Sequence, residues 1–238
     1  MKNLTFFVLS ATLLLSSFTV SAEGDDVKQL KAALAKTMPS VQPTSITATP
    51  VQGLYQVIVG SQVVYMSPDA RYMIEGDLFD LKTKKNISED AKSGIRLTAI
   101  NKLGLDKMVI YKPEKVKNTI TVVTDIDCPY CRRLHDEIPD YMENNIEVRY
   151  IFMPLKGAAD MRKTISVWCS DDQLLALDIA KAGGDVEQKK CNNPIAEHLE
   201  IAREIGIRGT PAIMLENGEL LPGYVPYDKL IAHMAKTL

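Results

Sequence analysis

The sequence predicts an α+β amino-terminal unit over residues 23–83, a linker helix over 84–104, and a mixed α/β unit, a sheet covered by helices, over 105–238. Three observations carry this reading. Short β-rich runs punctuated by Gly and Pro follow an amphipathic helix in the first unit. Apolar residues then recur every four positions behind an acidic helix start. Beyond residue 105, β runs alternate with helical patterns and close in a hairpin and a last helix.

The chain opens with Lys2 and then twenty uncharged residues, 3–22, ahead of Glu23. A run of about 20 apolar residues is long enough to cross a bilayer. Seven of these twenty are Ser or Thr, however, and the mainly apolar part is only 4–15. Val20 and Ala22 stand at −3 and −1 of a cleavage site after Ala22, so residues 1–22 read as a secretory signal peptide, with an uncleaved anchor as the alternative. Export would place the remainder where disulfides form and persist.

Val27, Leu30, Leu34 and Met38 recur at spacings of three and four, which predicts a helix over 23–38. Pro39, Pro43 and Pro50 make an extended, Ser/Thr-rich connection. The β-rich runs 54–59, 63–66 and 72–74 are separated by Gly60-Ser61 and Ser67-Pro68-Asp69 and suggest a small antiparallel meander. A unit this small buries little surface alone. It has no cysteine, so self-association would supply the missing core; packing on the rest of its own chain is the alternative.

Ser88-Glu89-Asp90 reads as an N-cap with first-turn acids, and Ala91, Ile95, Ala99 and Leu103 follow at intervals of four up to Gly104. Residues 108–111, 119–123 and 146–153 are β runs. A helix from the cysteine pair to about residue 144 separates the last two. Helical patterns cover 158–182 and 194–205. Asn217-Gly218 joins 212–215 to 219–221 as a β-hairpin, and a helix over 227–236 ends the chain.

The balance of 28 Lys+Arg against 30 Asp+Glu, a net charge of −2, does not suggest a nucleic-acid partner. Four cysteines are too few for a disulfide scaffold, and all fall between Cys128 and Cys191. Cys128-Pro129-Tyr130-Cys131 sits where a β run ends and a helix begins. Backbone N–H groups and the helix dipole lower a thiol's pKa there, and Pro129 suits the first helical position. Cys128 is therefore the candidate nucleophile and Cys131, one turn later, the candidate resolving thiol. Half a zinc site has the same spacing, with His135, read as a surface residue of that helix, as a recruitable ligand, but Cys169 and Cys191 form no second close pair. A purely structural Cys128–Cys131 bridge is the other alternative. Gly209-Thr210-Pro211 precedes the hairpin, where a cis X-Pro bond commonly holds a tight turn and an ordinary turn proline is the simpler reading.

Together these motifs make the chain resemble the thioredoxin superfamily and, within it, the DsbC/DsbG family of periplasmic disulfide isomerases. The residues that carry the resemblance are Thr124 to Cys131, Gly209-Thr210-Pro211-Ala212, Asn217-Gly218, Pro222-Gly223-Tyr224 and, ahead of them, Gly76-Asp77-Leu78-Phe79-Asp80-Leu81. The resemblance implies an amino-terminal dimerisation domain, a linker helix and a thioredoxin-fold catalytic domain with a helical insertion. It implies a V-shaped homodimer around an apolar cleft, with Cys128 as nucleophile, Cys131 as resolving cysteine and Pro211 as the cis-proline after Thr210. Pro129-Tyr130 departs from the Gly-Tyr of the family's best-known isomerase, and this dipeptide tunes thiol pKa and reduction potential. Cys169 and Cys191, left over in an exported chain, most simply bond to each other, and the family reading agrees that this is a structural disulfide.

The reaction implied is thiol–disulfide exchange on misfolded exported proteins in the periplasm, with no metal or organic cofactor. A membrane thiol reductase of the DsbD type would keep the pair reduced. A thiol oxidase built on the same residues, or a protein that is chiefly a chaperone, are the rival readings.

Overall fold

A computed structural model describes residues 22–238. The leader expected over 1–22 lies outside them except for Ala22, which opens α1 (Ala22–Thr37). The α1 stripe of Leu30 and Leu34 is fully buried against Tyr55, Val57, Val64 and Met66. These come from β2 (Tyr55–Val59) and β3 (Gln62–Met66), the centre of an antiparallel sheet ordered β1-β2-β3-β4. β4 is Met73–Glu75. β1 (Ser45–Ala48) lies in the Ser/Thr-rich stretch expected to be a mere connection, where a four-residue pairing with β2 overrides its weak pattern. A two-strand ribbon, β5 (Phe79–Asp80) with β6 (Lys85–Asn86), was equally invisible in the periodicity.

The linker helix, α2 (Ile87–Leu103), is capped by Asn86 and not by Ser88: the Asn86 side chain accepts from the Glu89 N–H. Ser88 is instead buried within the first turn, where its hydroxyl bonds Tyr65 and accepts from the Leu78 N–H at 2.8 Å. α2 therefore covers the face of β3 that α1 leaves open. Its far end is no free spacer either, since Ala99, Ile100 and Leu103 are core residues of the carboxyl-terminal unit.

In that unit the sheet is ordered β11-β10-β8-β9-β7. β8 (Asn118–Thr124) and β9 (Ile146–Phe152) are parallel; β7 (Val109–Tyr111), β10 (Ala212–Leu215) and β11 (Leu220–Pro222) are antiparallel to their neighbours. Side chains alternate across the sheet as a pleat requires. Val148, Tyr150 and Phe152 face α3 (Pro129–Asp136), α4 (Ile138–Glu143), α5 (Ala158–Trp168), α6 (Gln173–Lys181) and α8 (Tyr227–Thr237). Val123, Ile151 and Met214 face α2 and α7 (Ile195–Glu204).

The single helix expected from the cysteines to residue 144 is broken at Glu137, because Pro139 fits a new helix start and no helix interior. The helical stretch over 158–182 likewise divides, with Asp172 capping α6 through the Leu175 N–H.

Candidate active site

β8, the central strand, ends at Thr124, and a three-residue loop leads to Cys128, the N-cap of α3. Pro129 occupies the first turn, where no backbone donor is lost. The Asp125 carboxylate shapes this loop by accepting from the N–H groups of Asp127 at 2.8 Å and Leu155 at 3.0 Å. The loop is held from outside by Arg132 and Lys163, which bond the Asp127 carboxylate at 2.7 and 3.0 Å.

The two cysteines are in unlike surroundings. Cys128 is partly exposed and Cys131 is buried, and both are free thiols. The Thr210–Pro211 peptide bond is cis. Its loop brings the Thr210 carbonyl to the Cys128 thiol, which donates to it at 3.4 Å. Partial burial pushes the Cys128 thiol up, but the backbone N–H and thiol of Cys131, with Thr210 and the Tyr130 N–H, more than reverse this and leave its pKa below that of an ordinary cysteine. Burial dominates at Cys131 and raises its pKa, against the Lys181 charge and the N–H of Asp125, which reaches its sulfur at 3.5 Å. Beside the thiols, Tyr130 is exposed and stacks on Tyr224, with ring centres 6.4 Å apart, and the Arg133 guanidinium lies over the other ring.

Residues 105–238 match the family model of a thioredoxin-like domain, and residues 21–89 that of the disulfide bond isomerase protein N-terminal domain. The thiol:disulfide interchange protein DsbC of Salmonella typhimurium is 37% identical over 218 residues, covering 90% of this chain and 88% of that relative. The chain belongs to the DsbC family of thiol:disulfide interchange proteins. The Escherichia coli K12 DsbC is 35% identical over 216 residues, 90% of this chain and 89% of its own length. A crystal structure of a disulfide interchange protein from Neisseria gonorrhoeae aligns with a TM-score of 0.51 at 31% identity, over 56% of this chain and 96% of that one.

Two side chains of this DsbC-family site were not read from sequence. His135 was expected on the surface; it is buried, with Nδ1 3.1 Å from the Tyr150 hydroxyl and Nε2 2.9 Å from the Asp178 carboxylate. Burial first, and then the Lys181 charge, hold its pKa below the ordinary value. Lys181, at the end of α6, is also buried beneath the loop, donating to Thr124 Oγ1 at 2.6 Å and the Asp125 carbonyl at 2.9 Å. One signal was available: Leu177 and Ala180, four and one residues earlier, mark the same apolar face of the helix.

Cys169 and Cys191 take no part in this cluster. They are bonded to each other, with Cα atoms 5.6 Å apart, and tie the end of α5 to the loop before α7.

Proposed function

We propose that this protein isomerises and reduces wrong disulfides in exported proteins of the periplasm, with Cys128 as nucleophile and Cys131 as resolving cysteine. The observation that carries the assignment is the asymmetry of the pair. The outer thiol, at a helix N-terminus where the backbone N–H groups of Cys131 and Tyr130 lower its pKa, is favoured as thiolate, and the inner one is buried and held as thiol. A thiolate attacks a substrate disulfide and forms a mixed disulfide. A second substrate cysteine then displaces Cys128, which is isomerisation, or Cys131 does, which releases reduced substrate and leaves Cys128–Cys131 oxidised. Thr210 and Pro211 form the loop beside the attacked bond, and Pro129 and Tyr130 line its other side. The Cys169–Cys191 bond serves the fold and does not turn over.

Periplasmic location follows from the leader-like pattern of 1–22. A membrane thiol reductase of the DsbD type must return the pair to the dithiol form, because isomerisation starts from a thiolate. In this reading residues 23–83 are a dimerisation domain, 84–104 the linker and 105–238 the catalytic domain. Supporting a homodimer, β4 is the edge of its sheet, and Tyr72, Met73, Ile74, Phe79 and Leu81 around it are exposed. An exposed apolar edge strand is a template for pairing with another chain.

Refolding of scrambled ribonuclease tests the assignment. The mature protein is expected to restore ribonuclease activity and Cys128→Ala to restore none; equal rates for the two would overturn it.

A further inference from the structure

A groove leads from the cis-proline loop toward the amino-terminal unit. Its first part, about 310 Å³, is lined by residues 206–212 and by Leu220, Pro222 and Gly223 of the hairpin, so its walls are mostly apolar. Thr210 marks the end beside the nucleophile, with its carbonyl 3.4 Å from the Cys128 sulfur. The second part is a cavity of about 370 Å³ that shares Gly206, Arg208 and Leu220 with the first. Its opposite wall includes Lys92 and Arg96 of α2 and Glu75 of β4. Arg208 therefore lies at the junction of the two parts.

The charged groups around the cavity are unequally occupied. Lys92 is held by the Asp77 carboxylate at 2.6 Å. Arg96 is more than nine-tenths buried, and its Nη1 bonds Glu89 and the Gly218 carbonyl while Nε is buried without a partner. Arg208 is exposed, and among the described residues its side chain makes no ion pair or hydrogen bond. Glu75 lines the same cavity and forms no ion pair with Arg208 across it. The wall nearest the active site thus offers a free guanidinium, and the far wall offers two cations already matched and one carboxylate.

We propose that Arg208 is a specificity-determining residue that receives a carboxylate of the substrate polypeptide, an Asp or Glu about two to four residues from the cysteine under attack. This rests on the assignment of Cys128 as nucleophile. An extended chain advances about 3.3 Å per residue, and Arg208 stands two positions from Thr210, so a segment lying along 208–210 carries a nearby side chain to Arg208. The planar fork of a guanidinium matches a carboxylate through two parallel N–H donors. The apolar walls formed by Pro211, Leu220 and Pro222 suit uncharged residues between the cysteine and the acid. Glu75 repels a second acid placed deeper in the cavity, which confines the preference to the Arg208 end.

The test uses the full reduced mature chain and short peptides, each with one cysteine and supplied as a disulfide-linked homodimer. One Asp is placed at each of these distances on either side of the cysteine, and each peptide is compared with its Asn counterpart. The rate at which the Cys128 thiol is consumed is read by mass after quenching and alkylation. At one placement the Asp peptide is expected to react about threefold faster than the Asn peptide, the effect of one partly exposed ion pair. That ratio should fall toward one in about 1 M salt, where the screening length is about 3 Å. Arg208→Gln should abolish it, and Arg208→Glu should reverse it. Equal rates for Asp and Asn peptides at every placement overturn the inference, as does a preference that survives either substitution or the added salt. If no peptide consumes the Cys128 thiol, the assignment of Cys128 fails; if all consume it at one rate, only the Arg208 inference fails.

Discussion

The Cys128 thiol donates to the Thr210 carbonyl at 3.4 Å across a sequence separation of 82 residues. That contact joins the helix that activates the thiol to the cis-proline loop that would hold an incoming disulfide. Because the N–H groups of Tyr130 and Cys131 favour its thiolate, iodoacetamide should modify Cys128 with a pH midpoint below the ~8.5 of a free thiol, while Cys131 resists modification in the native state. Alkylation followed by mass spectrometry against pH checks both. Equal reactivity of the two thiols would contradict the asymmetry.

Gly218 takes φ 85° in the turn between β10 and β11, and a Cβ there would stand 2.6 Å from the Ser93 carbonyl of α2. Its own carbonyl accepts from Arg96 Nη1 at 3.0 Å. Gly218→Ala should destabilise the protein by about 1–3 kcal/mol through backbone strain and a forced retreat of α2. Urea unfolding gives the value; a change under a few tenths of a kcal/mol would show that α2 is not anchored by this turn.

The Cys169–Cys191 bond closes a loop of 22 residues. Replacing both cysteines by Ala is expected to cost about 3 kcal/mol through the freed unfolded chain. The alkylation rate of Cys128 should stay as it was, since the bond lies outside the cluster of reactive groups. A loss of Cys128 reactivity in the folded variant would link the two pairs.

His198 is fully buried, with Nδ1 accepting from the Phe152 N–H at 3.2 Å and Nε2 donating to the Lys107 carbonyl at 2.7 Å. Protonation would destroy the first bond, and burial lowers its pKa from 6.5 to about 4. The unfolded chain therefore binds the proton more readily between those values. The stabilising effect is complete above pH 6.5 and is lost as pH falls toward 4, by up to about 3 kcal/mol. His198→Gln, which keeps one acceptor and one donor, should flatten the stability profile in that window. An unchanged slope would assign the pH dependence elsewhere.

Met73 and Ile74 on β4 are each more than half exposed. If this edge pairs with a second copy, sedimentation velocity should show a dimer for the mature chain and a monomer for Ile74→Lys, which puts a charge on the edge. A monomeric wild-type chain would remove the proposed interface.

Much of the site was legible because its signals are local. Cys128 and Pro129 announce a helix start, Thr210-Pro211 a tight turn, and Asn217-Gly218 a hairpin. These are short-range constraints, set within a few residues. Ser88 was read as a cap and turned out to be a buried contact to Tyr65, because Asn86 two positions earlier offers the same capping chemistry and only packing chooses between them. His135 was read as a surface residue because its burial depends on α6 and β9, which lie far along the chain.

The sequence alone determined the order of the longer strands and helical stretches, the placing of the cysteine pair at a helix N-terminus and the proline that precedes the hairpin, but not β1, the β5–β6 ribbon or the breaks at Glu137 and Asp172. It could not place Lys181 beneath Thr124 or bring Thr210 to Cys128, because both depend on how the sheet aligns segments more than fifty residues apart. Helical and strand periodicity reports which face of an element is buried. What lies against that face, and so which thiol is exposed and which is held beside an ammonium, was decided by the tertiary fold.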